Sequence, residues 1–325
     1  MKAIVLFNRN LGENEMLNFK KYAEYFKENQ VDLDIKYANT EDEIIEAAKG
    51  YDIVLDMMQP MTTKIIENLD CKALIRAGIG VSNYDVEACT RKGILLCNSP
   101  THCVKEVAVL TVAHIFKAVT LLSEYVEELR RGEATAFRPP RRLSCMKVGL
   151  IGFGRIARLV ADILLGAGCT ILAYDPYLSK EVIESVGAQK VELDSLLAES
   201  DIISMHVPLF PSTKHIINAQ AFEKMKDGVI LVNTGRGGLI DQNALMEALK
   251  SGKVGAAGLD VVEYEPAVIN AKDLIALPNV FCTPHVGYRG VEALDELEEV
   301  AATMIVEVAT GKIPRNVVNR KELGL

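Results

Sequence analysis

Short apolar runs alternate with helical patterns along the second half of the chain, and this alternation constrains the fold more than any other feature. The runs cover residues 147–151, 170–174, 201–207, 228–233, 256–262 and 280–284. The segments between them carry apolar residues at helical spacing. Strands that are apolar throughout are typical of a parallel sheet covered by helices on both faces. The second half therefore predicts an α/β domain built on a doubly wound parallel sheet.

The first half shows the same alternation on a smaller scale, which predicts a second doubly wound parallel sheet. Its expected strands are residues 2–7, 31–37, 51–57, 72–78 and 93–98. We expect one long helix over 104–131, a linker over 132–146, and a last helix over about 291–310 that returns to the first half. The predicted domains are residues 1–102 plus 292–325, which is discontinuous, and residues 103–291.

Composition limits the classes of partner. The chain has 325 residues and a net charge of −8, so we expect no nucleic-acid partner. Seven cysteines without a CxxC pair predict free thiols in a reducing, cytoplasmic compartment, and no metal site. The longest apolar stretch, 107–122, includes His114 and Lys117 and is too short to predict a membrane span. The apolar run at the N-terminus is too short to predict a signal peptide.

The sequence GFGRIA at residues 152–157 is typical of a dinucleotide-binding turn. It follows an apolar run and opens a helical pattern, beginning with Arg155 and Ile156. Gly152 allows a tight turn, and Gly154 lets the backbone approach a pyrophosphate. The pyrophosphate would lie at the helix N-terminus, where free N–H groups and the helix dipole favour anions.

Asp175 ends the next expected strand, about 20 residues beyond the glycines. A carboxylate at this position can accept hydrogen bonds from both ribose hydroxyls and would repel a 2′-phosphate. This favours NAD over NADP. The alternative is that Asp175 only caps the turn before Pro176.

Three later segments carry residues suited to acid–base chemistry on a carboxylate, and each follows an expected strand. Arg236 stands between two glycines, and its planar guanidinium suits bidentate binding of a carboxylate. His285 suits proton transfer near neutral pH, and Glu265 is the carboxylate expected beside it. Each residue has an ordinary structural alternative: a surface salt bridge for Arg236, a solvated loop carboxylate for Glu265, and a structural histidine for His285. Their shared placement at strand ends argues against the structural alternative for all three together.

The chain resembles the D-isomer-specific 2-hydroxyacid dehydrogenases over nearly its whole length. The blocks that carry the resemblance are RAGIGVSNYDVEACTRKGILLCNSP, VGLIGFGRIAR, DIISMHVPLFPSTKHIIN, NTGRGGLID, LDVVEYEP, TPHVG and RNVVN. The resemblance implies a flavodoxin-like substrate domain, a Rossmann NAD-binding domain, and a cleft that closes between them. It also implies a homodimer formed through the NAD-binding domain, with the helix over 104–131 at the interface.

The resemblance also implies roles for individual residues. Arg236 would bind the carboxylate and carbonyl of a 2-keto acid, His285 would be the acid/base, and Glu265 would hold His285 in its charged form. Backbone N–H groups of Ile79 and Gly80 would bind the substrate carboxylate. The implied cofactor contacts are Gly152, Gly154, Arg155, Ile156, Asp175, Val207, Pro208, Thr213, Thr234, Gly235, Arg236 and Asp260.

Other functions stay open at this point. An NADH-sensing corepressor of the same fold would keep Arg236, Glu265 and His285, although the chain shows no long disordered tail. Glyoxylate, hydroxypyruvate and 3-phosphoglycerate dehydrogenases are alternatives within the family. Formate dehydrogenases pair the histidine with glutamine, whereas this chain has Glu265.

A few residues depart from the family pattern or lack an assigned role. Lys105 stands where many members have alanine, and His102 is expected to be a loop histidine that faces water rather than substrate. The basic linker residues Arg138, Arg141 and Arg142 could attract an acidic substrate, but we expect an ordinary solvated stretch.

Overall fold

The computed structural model describes residues 1–8, 17–57, 59–133 and 139–325. The chain divides into two compact units. The first unit consists of Met1–His102 and Gly290–Leu325, and the second of Cys103–Arg289. Each unit is an α/β structure with its own parallel sheet.

In the first unit, the described residues form a five-stranded parallel sheet in the order β2-β1-β3-β4-β5. The strands are β1 Lys2–Phe7, β2 Asp32–Tyr37, β3 Ile53–Asp56, β4 Ala73–Arg76 and β5 Leu95–Asn98. The helices are α1 Ala23–Glu28, α2 Glu41–Ala48, α3 Thr63–Glu67, α4 Val86–Arg91 and α14 Val291–Ala309.

In the second unit, the described residues form a seven-stranded parallel sheet in the order β12-β11-β10-β9-β6-β7-β8. The strands are β6 Lys147–Ile151, β7 Thr170–Tyr174, β8 Gln189–Lys190, β9 Ile202–Met205, β10 Val229–Asn233, β11 Val254–Leu259 and β12 Val280–Cys282. The helices are α5 Val104–Thr120, α6 Leu122–Arg130, α7 Arg155–Gly166, α8 Lys180–Glu184, α9 Leu193–Glu199, α10 Ala219–Lys224, α11 Gln242–Lys250, α12 Ala267–Asn270 and α13 Lys272–Ile275.

Both faces of the second sheet are buried, because neighbouring residues along a strand pack into different cores. On β10, Val229 and Leu231 join one hydrophobic cluster, whereas Ile230 and Val232 join the other. Side chains of a strand point alternately to the two faces, so a strand covered on both sides must be apolar throughout. This explains why the strands of this unit, apart from the two-residue β8, appear as apolar runs in the sequence.

The prediction of two α/β domains with parallel sheets is confirmed, and the predicted strands are present with ends shifted by up to a few residues. The sequence pattern did not reveal β8, because its two residues are too few to show a periodicity. On β11, the predicted run extended past Leu259, where the strand ends.

The prediction of one unbroken helix over 104–131 is wrong. Leu121 has φ 53° and ψ 31°, which is a left-handed conformation, and α5 and α6 meet there at an angle of 63°. The Thr120 hydroxyl donates to the Phe116 carbonyl, a side-chain bond of a kind that often bends helices. Leucine is a good helix former, so the apolar pattern alone does not indicate the break.

No single helix among the described residues has the length and apolar character of a membrane span. Helices α5 and α6 reach that character only when taken together across their bend.

Candidate cofactor and catalytic site

The residues singled out in the second unit lie after the carboxyl ends of neighbouring strands. Arg236 follows β10, Glu265 follows β11 and His285 follows β12, and these three strands are adjacent in the sheet. Gly152 follows β6 and Asp175 follows β7, at the other end of the same edge. Ligands of open α/β sheets bind at this edge, near the point where the strand order reverses. Here the reversal lies between β6 and β9.

The turn after β6 leaves room for a phosphate group at the start of α7. Gly152 has φ 87°, and a Cβ added there would lie 2.8 Å from the His206 carbonyl oxygen and from the Val207 side chain. A Cβ on Gly154 would meet no atom within 4 Å. Gly154 also begins α7 without any side-chain cap. An open approach to uncapped helix N–H groups fits the pyrophosphate of a dinucleotide, and Arg155 and Ile156 are the first residues of that helix.

Asp175 accepts hydrogen bonds from the glycine turn and from the turn that follows β7, and its ribose contact stays a prediction. One carboxylate oxygen accepts from the Phe153 N–H at 2.9 Å, which joins Asp175 to the glycine turn. The other accepts from the Tyr177 N–H at 3.0 Å, which closes the turn after β7. An ionised carboxylate has about four acceptor positions, so these two bonds leave capacity for ribose hydroxyls.

The segment after β9 lies beside the glycine turn. His206 N–H donates to Ile151 O at 2.7 Å, and the following Val207 lies next to Gly152. The Thr213 hydroxyl donates to Pro208 O at 2.7 Å and holds the loop in a compact turn. These contacts place Val207, Pro208 and Thr213 along the same edge as the dinucleotide turn.

The turn that carries Arg236 is held by a buried amide. Asn233 is fully buried; its Oδ1 accepts from the Gly235 N–H at 3.0 Å, and its Nδ2 donates to Arg236 O at 2.8 Å. The neighbouring Thr234 hydroxyl pairs with the Thr111 hydroxyl of α5 at 2.7 Å. The Arg236 guanidinium itself donates to Gly235 O at 2.8 Å. Hydrogen bonds of the Asn233, Thr234 and Arg236 side chains therefore fix this turn.

Asp260 organises the loop that carries His285. Its carboxylate accepts from the Thr283 hydroxyl at 2.6 Å, from the Val286 N–H at 2.9 Å and from the Gly287 N–H at 2.9 Å. Its carbonyl oxygen accepts from the His285 N–H at 2.9 Å. Asp260 is 2% exposed, so this buried carboxylate fixes the backbone around the histidine. The cofactor contact implied for Asp260 stays a prediction.

His285 and Glu265 form a hydrogen-bonded pair. His285 Nδ1 lies 3.0 Å from Glu265 Oε2, and the ring stands edge-on to Tyr288 with 6.1 Å between ring centroids. The side chains of His285 and Glu265 are 31% and 40% exposed. Because Glu265 occupies Nδ1, the atom left to exchange a proton with a ligand is Nε2.

Two other histidines of this unit are neutral at pH 7. Burial lowers the pKa of His114 to about 4, and its Nε2 contacts the Thr283 hydroxyl at 3.3 Å while the ring stacks on Phe281. Burial also lowers the pKa of His206 to about 4. His114 is packed in the core, where it is 4% exposed.

The remaining singled-out residues lie elsewhere. Ile79 and Gly80 follow β4 in the first unit, where Asn98 donates to Ile79 O at 2.7 Å. Their substrate contact stays a prediction. The expectation that His102 faces water is wrong: it is 4% exposed, and its Nδ1 hydrogen-bonds to Ser99 O at 3.0 Å, which satisfies the ring in a buried setting. Lys105 is exposed on the first turn of α5.

Arg141, in the basic linker, lies away from the edge of the sheet where ligands are expected to bind. That guanidinium donates to Asp201 at 3.0 Å, and Asp201 lies just before β9, at the amino end of the sheet. Arg142 precedes the short helix Leu143–Cys145, and Arg138 lies outside the described residues. No cluster of three or more metal-ligating side chains occurs in the part of the chain that the structure describes.

The sequence patterns missed the role of Asn233 and the pairing of His215 with Glu263. Asn233 has the amide that fixes the Arg236 turn, and His215 pairs with Glu263 at 2.7 Å. Asn233 follows an apolar run, as the singled-out residues do, so its position was a usable signal. The His215–Glu263 pair has none, because the two residues are far apart in the sequence.

The second unit is similar to a known protein family, and most of the chain is similar to individual proteins. Residues 112–287 match the family described as D-isomer specific 2-hydroxyacid dehydrogenase, NAD binding domain. The hydroxypyruvate reductase of Thermotoga maritima is 40% identical over 271 residues, which cover 82% of this chain and 87% of that protein. The D-3-phosphoglycerate dehydrogenase of Methanocaldococcus jannaschii is 39% identical over 292 residues, which cover 89% of this chain and 55% of that protein.

Thus the chain spans about half the length of the phosphoglycerate dehydrogenase that it matches. Among solved structures, the D-lactate dehydrogenase of Aquifex aeolicus, complexed with NAD and lactic acid, superposes with a TM-score of 0.85 at 27% identity. That alignment covers 97% of this chain and 98% of the other.

Proposed function

Because the chain belongs to the D-isomer specific 2-hydroxyacid dehydrogenase family, we propose that it interconverts a 2-keto acid and a 2-hydroxy acid with NAD(H). The observation that carries the proposal is the His285–Glu265 pair, which follows the two strands beside the one that precedes Arg236, on the edge that also bears the glycine turn. When bound, NADH supplies a hydride to the keto carbon.

Each catalytic residue has a role that follows from its chemistry. His285 Nε2 gives a proton to the keto oxygen during reduction and takes one from the hydroxyl during oxidation. Glu265 accepts from Nδ1, which orients the ring and stabilises the imidazolium form. Arg236 binds the substrate carboxylate and keto oxygen through its planar set of N–H donors.

In this proposal, residues along the edge from β10 to β7 would hold the cofactor. The pyrophosphate would be bound by Gly152, Gly154, Arg155 and Ile156, and Asp175 would accept from the adenosine ribose. The open space at Gly154 and the remaining acceptor capacity of Asp175 support these roles. Val207, Pro208 and Thr213 border the adenosine half, and Thr234, Gly235 and Asp260 the nicotinamide half.

We propose hydroxypyruvate as the first substrate to test, because the Thermotoga hydroxypyruvate reductase matches most of both chains. The experiment follows NADH oxidation with hydroxypyruvate, glyoxylate, pyruvate, 2-oxoglutarate and 3-phosphohydroxypyruvate. We expect turnover on at least one of the short acids, and faster turnover with NADH than with NADPH. Tight NADH binding without turnover on any acid would instead support an NADH-sensing binding protein.

We also propose that the protein is a cytoplasmic homodimer. All seven cysteines are free thiols, which fits a reducing compartment. Exposed apolar side chains stand two helical turns apart on α5, at Val109 and Phe116, and on α6, at Leu122 and Leu129. Apolar side chains repeated on one face of a helix support an interface between copies of the chain.

A further inference from the structure

A second histidine–carboxylate pair, His215 and Glu263, has its carboxylate on the same segment after β11 as Glu265. His215 Nε2 is 2.7 Å from Glu263 Oε1, and the Glu263 side chain is only 10% exposed. We propose that His215 and Glu263 are a positioning pair that holds the turn carrying Arg236 against the segment carrying Glu265. The inference rests on the proposed function, since it takes Arg236 and Glu265 to be the residues that act on substrate.

The Glu263 carboxylate joins two segments. While Oε1 pairs with His215, Oε2 accepts from the Gln242 N–H at 3.2 Å. Gln242 is the first residue of α11, directly after its cap Asp241. A bond from an ionised carboxylate to a helix N-terminus is favoured by the helix dipole. The segment after β11 is thereby tied to the start of α11.

The backbone of the His215 loop runs beside the end of the Arg236 turn. His215 N–H donates to Gly238 O at 2.9 Å, and Ile217 N–H donates to Leu239 O at 3.1 Å. The return bond runs from Asp241 N–H to Ile217 O at 2.9 Å. His215 has φ 51°, an uncommon value for a residue with a side chain. These bonds fix the His215 loop along residues 238–241, so its side chain links that stretch to Glu263.

The third contact is a direct one, between the backbone at Gly237 and the backbone of the segment after β11. A Cβ on Gly237 would lie 1.9 Å from the Val262 carbonyl oxygen and 2.5 Å from Glu263 N. The Arg236 turn and the segment after β11 therefore touch backbone to backbone, between Arg236 on one side and Glu265 on the other. The His215–Glu263 pair closes this contact by a hydrogen bond of 2.7 Å to a carboxylate that is only 10% exposed.

The main test compares Glu263→Ala with Glu263→Gln. We expect Glu263→Ala to raise the KM for hydroxypyruvate by about tenfold or more and to lower kcat, with the Kd for NADH within about twofold. Glutamine can still accept from Gln242 N–H and donate to a neutral imidazole, so Glu263→Gln should restore most of the KM. The double variant His215→Ala/Glu263→Ala should be no worse than the worse single variant, because paired residues act as a unit.

A matched control removes an exposed carboxylate of the same unit. Asp194 pairs with Lys224 at 2.6 Å on the surface, and Asp194→Ala should leave KM and kcat unchanged. If wild type turns over and Glu263→Ala has wild-type KM and kcat, the positioning role is overturned. A lower melting temperature with unchanged KM and kcat also overturns it, because that result indicates a purely structural pair.

A second measurement does not depend on turnover. Amide hydrogen exchange of residues 235–242 should be at least about tenfold faster in Glu263→Ala than in wild type, while residues 193–199 are unaffected. Unchanged exchange at 235–242 overturns the inference whatever the activity. If wild type turns over none of the acids but exchange at 235–242 is still faster in Glu263→Ala, the proposed function is contradicted. The positioning role of the His215–Glu263 pair on the backbone is then still supported. If Glu263→Ala does not fold, His215→Asn is measured in its place, with the same expected results.

Discussion

Carboxylates at the edge of the second unit's sheet differ in function because each receives different donors. Within the described ranges, the Asp260 carboxylate accepts from the loop that carries His285 and so fixes the backbone there. Glu265 meets an imidazole that remains partly exposed, as proton exchange requires. Asp175 accepts from two backbone N–H groups and retains acceptor capacity toward solvent. All three carboxylates follow a strand. Their hydrogen-bond partners differ, and these partners distinguish what each carboxylate can do.

Asp175→Ala should change the preference between the two cofactors. Removing the carboxylate removes both the ribose acceptor and the charge that opposes a 2′-phosphate. We expect the ratio of kcat/KM for NADH to that for NADPH to fall by about tenfold or more. Asp194→Ala, on the exposed surface of the same unit, should leave the ratio unchanged. An unchanged ratio in Asp175→Ala would show that Asp175 only closes its turn.

Because of Asp56, we expect a contribution to the free energy of unfolding that falls as pH rises, opposite to the usual effect of a carboxyl group. Burial raises its pKa to about 6, against the opposing effects of Arg76 and of the hydrogen bond from Tyr84. A raised carboxyl pKa means that the folded state holds the proton more tightly than the unfolded state. The resulting stabilisation is present below about pH 4 and is lost as pH rises to about 6.

We therefore expect the unfolding free energy of wild type, relative to Asp56→Asn, to fall by up to ~3 kcal/mol between pH 4 and 6. Urea titrations followed by circular dichroism measure it. Asp52→Asn is the control of opposite sign, since a bond from Lys2 N–H lowers the pKa of Asp52 and its stabilisation is lost as pH falls. A difference for Asp56→Asn that does not vary with pH would contradict the assignment.

At the scale of elements, glycines mark where two segments touch or where a ligand approaches. Gly237→Ala would place a methyl group 1.9 Å from a backbone oxygen, so the variant should lose several kcal/mol of stability or fail to fold. Gly154→Ala meets no protein atom, so it should keep its melting temperature. If a pyrophosphate lies there, Gly154→Ala should raise the Kd for NADH by about tenfold. Unchanged NADH affinity in that variant would remove Gly154 from the site.

Elements were predictable from the sequence where a long pattern specifies them. Strands buried on both faces are apolar throughout, so their positions and the parallel sheets followed from the chain alone. The break at Leu121 was not predictable, because its left-handed conformation depends on packing and leucine favours helix. Residue types in the sequence identified His285 and Arg236. The pairing of His215 with Glu263 was not predictable, because it depends on where two loops meet.

At the scale of the whole molecule, the proposed dimer predicts a defined effect of surface charge. Leu122→Glu/Leu129→Glu places charges on exposed apolar positions of α6 and should shift the protein from dimer to monomer in light scattering. Val182→Glu changes an apolar side chain of α8 that is 39% exposed and should leave the mass unchanged. A wild-type mass of one chain at micromolar concentration would exclude the dimer.

The central claim is that His285, held by Glu265, moves the proton in an NAD-dependent reaction on a 2-keto acid. The most direct measurement is kcat with hydroxypyruvate and the Kd for NADH, by nucleotide fluorescence, in wild type and His285→Ala. We expect His285→Ala to lose kcat by about 10²-fold or more, with the NADH Kd within about twofold of wild type. Turnover of His285→Ala at the wild-type rate, or a loss of NADH binding that accounts for the lost activity, would contradict it.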